Sequence, residues 1–255
     1  MTHLDLETAA LRVDGPLAVL TLRRPPANSL GLQLAADLHA ALAAAEAADD
    51  VAALVLTGEG RFFCAGGDVA EMAAHDDTTA YVTELVTAAN RAVLGMRRTR
   101  LLTVAAIGGV TAGAGLGLGL HADVRIASAS ATFVGAYGTV GLTPDCGVSF
   151  LLPAAIGRAR AAALLLTGTR LSAHDALAWG LVDAVVDADP VGAAVERALA
   201  ALARTAPSAI APTRDLLFPP LDEHERLLAR EAHAIARASE HPDARARIHR
   251  FAGER

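Results

Sequence analysis

Lysine is absent from this chain of 255 residues; all 22 basic side chains are arginine. That excludes Schiff-base catalysis and the phosphate-gripping lysine of a P-loop. Cysteine is scarce: Cys64 and Cys146 offer neither a disulfide framework nor metal-ligand spacing. The nine histidines form no H-E-x-x-H pattern, so no metal site is expected. No dense basic run exists and the net charge is −6, which argues against a nucleic-acid surface or a polybasic membrane anchor. The opening "MTHLDLETAALRV" lacks a basic n-region followed by an apolar h-region, so no signal peptide is read and a cytoplasmic protein is expected. One long uncharged run, residues 101–120, mimics a membrane span. Its glycines fit a buried strand, a turn and a buried helix better.

What is present builds a core. Apolar residues make up 53% of the chain, enough for one large domain or a domain with an appendage. "LAVLTLRR" (17–24) and "VAALVLTG" (51–58) predict buried strands with a helix between them at 30–48. Further strands are expected at "TVAAI" (103–107), "VRIAS" (124–128), "ATFV" (131–134) and "LVDAVV" (181–186). A helix is expected in "AGAGLGLGLHAD", and from 158 onward the pattern turns helical, with Ser172 as one N-cap. Alternating strands and helices predict an α/β fold, a mostly parallel sheet under helices with a helical C-terminal layer.

Three stretches carry chemistry. "RFFCAGGDVAEM" (61–72) and "GGVTAGAGLGLG" (108–119) each lead from a strand into a helix, where exposed N–H groups can hold an anion. Neither contains the G-x-G-x-x-G register of a dinucleotide site. Two such turns converging on one carbonyl oxygen make an oxyanion hole, the device that stabilises an enolate. A plain turn with Asp68 as N-cap explains the first stretch equally well. The third is "GLTPDCGVSF" (141–150). Asp145 is the only charged side chain between Ile126 and Gly157, so it is either an exposed turn residue or a carboxylate placed in a dry pocket. The two cysteines read as small buried hydrophobes, and His121 and Trp179 as packing.

The segments "LTLRRPPANSL", "VLTGEGRFFCAGGDVAEM", "GGVTAGAGLGLGLHADVRIAS" and "GLTPDCGVSFLLPAAIGRARAAALLLTGTRLSAHDALAWGLVDAVV" resemble, in that order, the crotonase superfamily of enoyl-CoA hydratases and isomerases. The resemblance covers essentially the whole chain. It implies a crotonase-like ββα spiral core at 1–200 and a helical capping or trimerisation region at 201–255. It places the two oxyanion donors on Gly67 and Ala114, the second a glycine in most relatives. Ala65 and Asp68 would lie by the adenine of coenzyme A, and Arg23 or Arg24 would meet its phosphates. The substrate carries the coenzyme A, so no separate cofactor is implied; a homotrimer or dimer of trimers is. The hydratases' two catalytic glutamates fall on Gly117 and Tyr137, neither of which can act as a general base, although Tyr137 could contact the substrate. The Pro-Asp turn is similar to that of CoA-ester isomerases with an acid there, so the expected activity is enolate chemistry of the isomerase type with Asp145 as proton shuttle. A hydratase that positions water otherwise, a dehalogenase-like nucleophilic Asp145 and a CoA-ester binder without turnover remain the alternatives.

Overall fold

The computed structural model describes residues 2–187 and 189–253. The chain opens with β1 (Thr2–Asp5), β2 (Ala9–Asp14) and β3 (Leu17–Leu22), an antiparallel meander. Gly15 and Pro16 turn the second hairpin, with Gly15 at φ +55°, the left-handed conformation that glycine adopts without steric cost. Helix α1 (Leu32–Ala47) buries Leu34, Leu38, Ala41, Leu42 and Ala45, one face at helical spacing. Then follow β4 (Ala53–Gly58), β5 (Phe62–Cys64), α2 (Val69–Ala74) and α3 (Thr78–Arg98).

The uncharged run at 101–120 resolves into β6 (Leu102–Ile107), β7 (Val110–Ala112) and α4 (Ala114–Leu120). Strand β7 is an addition to the strand, turn and helix expected there: Gly108 and Gly109 end one strand and open another in a different sheet. No helix among the described residues is long and apolar enough to cross a membrane. Strands β8 (Val124–Ser128) and β9 (Thr132–Val134) are followed by a 3-10 turn at Tyr137–Val140. Helix α5 (Val148–Ile156) begins ten residues before the expected helical region, because its uniformly apolar sequence has no helical periodicity to read. Next come α6 (Arg158–Leu166), β10 (Arg170–Ser172), α7 (Ala173–Trp179), β11 (Ala184–Val186) and α8 (Pro190–Leu202). Ser172 caps α7 as expected, whereas only the last three residues of the strand expected at 181–186 form one.

Two sheets result. The larger runs β1-β2-β3-β4-β6-β8-β11 and is parallel from β3 onward. The smaller runs β10-β9-β7-β5, and β5, β7 and β9 are parallel within it. The C-terminal helical layer is α9 (Ile210–Leu217), α10 (Leu221–Ser239) and α11 (Pro242–Gly253); α10 packs on α3 and α11 on α2.

Polar groups fasten that layer to the core. Arg214 of α9, almost fully buried, donates to Asp123 at 2.7 Å and to the Thr99 and Leu101 carbonyls. His224 of α10 meets His121 at the end of α4, with 3.1 Å between the Nε2 atoms. The Nδ1–H of His121 donates to the Gly117 carbonyl, so its Nε2 is the acceptor and His224 the donor. Burial pushes His121 down to about 3 and His224 down to about 4, so both are neutral at pH 7. His121 is therefore a core residue, as the sequence suggested.

Candidate active site

The smaller sheet explains why distant residues meet. Parallel neighbours finish at the same edge, so the segments that leave β5, β7 and β9 emerge side by side. They are Ala65-Gly66-Gly67, Gly113-Ala114 and Gly135-Ala136-Tyr137. In open α/β sheets that carboxyl edge is where ligands bind.

The first two turns touch. A Cβ on Gly66 would lie 3.0 Å from the Ala112 carbonyl oxygen and 3.5 Å from Gly113 Cα. One on Gly113 would lie 4.0 Å from the Tyr137 ring. Gly66 at φ +94° and Gly113 at φ +51° hold conformations that side chains resist. Ala114 is spared, because the residue before it makes the turn, and alanine can stand at the donor position.

Both candidate donors are open. Gly67 bridges Leu30 in parallel fashion: the Leu30 N–H donates to Gly66 and the Asp68 N–H to Leu30. A parallel bridge made by the flanking residues turns the N–H of Gly67 itself away. Ala114 begins α4, where no preceding turn supplies an acceptor. Among the described residues, neither N–H has a backbone partner.

Asp145 is only 7% exposed, so the exposed-turn alternative is ruled out. The Tyr137 hydroxyl donates to its Oδ1 at 2.8 Å. Burial pushes Asp145 up to about 6, against the hydrogen bonds from Tyr137 and Cys146 that favour its anion. Two residues flanking this pair, Ala136 (φ 58°) and Cys146 (φ 50°), are left-handed without being glycine. Such strain persists where the surroundings enforce it, and it concentrates at functional sites. Tyr137 itself is held well above the usual phenol range, chiefly by burial and by the Asp145 charge, so it stays a donor.

Gly117 is closed to any side chain. A Cβ there would lie 2.5 Å from both the Cys146 Cβ and its carbonyl oxygen, so the Asp145 turn fills the space. Both cysteines are buried, and burial raises Cys64 to about 12 and Cys146 well above its ordinary value. They are thiols that pack, not nucleophiles.

The remaining expected residues form a second group. Asp68 caps α2 by accepting from the Ala70 and Glu71 N–H groups, and also pairs with Arg24. Arg24 reaches Glu71 as well, at 2.7 Å. Ala65 donates to the Ala27 carbonyl, which puts it beside the same loop. Arg23 turns the other way, to Asp5 at 2.6 Å and the Leu6 carbonyl at 2.9 Å. The structure thus brings Gly67, Ala114, Tyr137 and Asp145 together, groups Arg24, Ala65 and Asp68 nearby, and leaves Arg23 apart.

Glu231 of α10 is buried against the Asp145 turn and escaped notice in the sequence. It sits among charged helical neighbours in "HERLLAREAH", where nothing marks one acid as inward-facing except its spacing from Leu228 and Ile235.

The enoyl-CoA hydratase/isomerase family model matches residues 12–255. The chain belongs to that family. Within it, a 1,2-epoxyphenylacetyl-CoA isomerase of Escherichia coli is 38% identical over 187 residues, 71% of each chain. A probable enoyl-CoA hydratase of Mycobacterium tuberculosis is 36% identical over 191 residues, 74% of this chain and 73% of that one. The crystal structure of an enoyl-CoA hydratase from Bacillus halodurans superposes with a TM-score of 0.87 at 25% identity, covering 95% and 99% of the two chains. The crotonase-like fold and superfamily expected from the four sequence blocks are those of this family. Its members carry both isomerase and hydratase names, so membership leaves the reaction to the site.

Proposed function

We propose that this protein isomerises an unsaturated acyl-CoA through a thioester enolate, with Asp145 as the single proton shuttle. The observation that carries the reading is one buried, ionisable carboxylate beside two open N–H donors, with both hydratase glutamate positions lost. Asp145 takes a proton alpha to the thioester of a β,γ-unsaturated acyl group. The C–H electrons enter the conjugated system and place charge on the thioester oxygen, held by Gly67 and Ala114 N–H. The same carboxyl returns its proton at the gamma carbon, leaving an α,β double bond and a regenerated base. Tyr137 donates to Asp145 Oδ1 and so orients the base, while its ring borders the space for the substrate. An apolar cavity of about 360 Å³, lined by Tyr137, Leu142, Pro144, Pro153 and Leu165, suits the acyl chain. The similarity to a 1,2-epoxyphenylacetyl-CoA isomerase supports isomerase chemistry.

The base must be ionised to act. With Asp145 at about 6, kcat/KM should be level near pH 8 and fall about tenfold per unit below pH 6. A pH profile of double-bond migration in β,γ-hexenoyl-CoA checks this; a rate independent of pH between 5 and 8, roughly the window that brackets the shift, contradicts it.

We also propose that the coenzyme A phosphates meet Arg23 or Arg24, and its adenine the Ala65–Asp68 edge. Arg24 lies by that edge but spans Asp68 and Glu71, whereas Arg23 pairs, among the described residues, only with Asp5, so Arg23→Glu disturbs fewer ion pairs. It should weaken CoA-ester binding about tenfold at low salt and less at high salt, as measured by calorimetry. Equal affinity for both proteins would remove Arg23 from the site. For assembly, we propose a homotrimer or dimer of trimers, motivated by exposed Leu199, Leu216 and Leu217 in the helical C-terminal third. Sedimentation should show one of these species, and a monomer at micromolar concentration rejects both.

A further inference from the structure

We infer that Glu231, on the C-terminal helix α10, is a positioning residue that holds the Asp145 turn in its catalytic shape. The inference rests on the role given to Asp145 above. Its basis is a contact across 82 to 84 residues of sequence: Glu231 Oε2 accepts from the Gly147 N–H at 2.7 Å, and Oε1 from the Ser149 N–H at 2.8 Å.

These donors are the N–H of Gly147, the N-cap of α5, and that of Ser149 in its first turn, two and four residues beyond Asp145. Gly147 has no side chain to cap the helix, so the cap arrives from another helix. Glu231 is 4% exposed, and among the described residues it has no arginine partner. A buried carboxylate held by two N–H donors and the Ser149 side chain, with no cation, is an expensive way to cap a helix. Using both oxygens, however, it locks two backbone positions, 147 and 149, at once. Left-handed Cys146 lies between the base and these donors, so releasing the cap lets that strained residue relax and carries Asp145 with it.

Several titratable groups surround Glu231. Asp145, Cys146 and Tyr137 face it from the turn, and Cys64 lies behind them against Cys146. Neutral His121 packs under Gly147 and meets His224 beyond. Arg230, its neighbour on α10, lines with it a cavity bounded by Pro144, Ser149 and Phe150. Burial, then the Asp145 charge, lift Glu231 to about 7, so near neutrality the Asp145 anion opposes ionisation of Glu231.

The experiment follows deuterium exchange into β,γ-hexenoyl-CoA by native protein, Glu231→Gln and Glu231→Asp, with calorimetric CoA-ester affinity beside it. Glu231→Gln can accept only one of the two N–H bonds and carries no charge. Its kcat should fall about 10²-fold, the scale of a base displaced by an ångström, with affinity unchanged. Its acid limb should stay near pH 6, because Glu231, at about 7, is already protonated where Asp145 titrates. Glu231→Asp keeps the carboxylate but falls short of the N–H pair, so its kcat should drop as well. A folded Glu231→Gln with native kcat, however much its Tm falls, reduces Glu231 to a structural cap and overturns the inference. If Glu231→Gln does not fold, native kcat in Glu231→Asp overturns it instead. Full exchange by Asp145→Asn would sink the underlying reading as well; loss there with native behaviour at Glu231 sinks this inference alone.

Discussion

Asp145→Asn should lose about 10²–10⁴-fold in kcat for proton exchange and double-bond migration, the usual worth of a positioned general base. The amide matches the carboxylate in shape and can still accept from Tyr137, so the turn should keep its conformation. It cannot take a proton at any pH of interest. Substrate affinity should be preserved, because the proposed oxyanion donors are main-chain N–H groups on other segments. The loss should therefore appear in kcat with KM nearly unchanged, the signature of an interaction made only during the chemical step. Turnover at the native rate would return Asp145 to a buried turn residue and leave the enolate without a base.

Gly117→Glu carries the second large effect. It places an acid where the resemblance to two-glutamate hydratases puts one, yet it should not confer hydration of an α,β-enoyl-CoA. The new Cβ alone would stand 2.5 Å from Cys146 Cβ and 2.5 Å from its carbonyl oxygen. Overpacking of that kind costs about 1–3 kcal/mol even for Gly117→Ala, or roughly 2–12 °C in Tm for a chain of this size. The glutamate adds a second carboxylate to a dry site, raising Asp145 further and holding it protonated. Isomerisation should fall at least as far as in Asp145→Asn, while Gly117→Ala shows an intermediate loss that tracks its Tm. A gain of hydratase activity would mean that the Asp145 turn yields space more readily than its packing allows.

Much of this could be read before any coordinates. The strands at β3, β4, β6 and β8 announced themselves as apolar runs closed by Gly or Pro, because strands buried on both faces need no alternation. Asp145 was legible through its isolation: one charge in a span of thirty apolar and small residues has few reasons to exist. Gly66-Gly67 and Gly113-Ala114 were visible as turns, but their meeting depends on β5 and β7 pairing in parallel. Those are three-residue strands whose pairing no local pattern encodes. Asp68 could be read either as a cap or as a ligand-facing acid, and in the fold it caps α2 while holding Arg24. Helix α5 and Glu231 were illegible for opposite reasons. One is apolar on every side, and the other is an acid among many on an amphipathic helix, inward only because α10 happens to cross the Asp145 turn there.

The edge where β5, β7 and β9 end divides the site into parts with different freedom to evolve. The proposed oxyanion donors belong to the peptide chain, so no single substitution deletes them; Ala114 already shows that a side chain can change there while the N–H persists. The acid–base groups, by contrast, are ordinary side chains on the third turn and on its packing partners, each replaceable by one codon change. The part of the proposed site that would hold an enolate and the part that would move protons can thus change independently. At Gly117 the packing sets a limit to this: the segment bearing Asp145 fills the space that any side chain there would need.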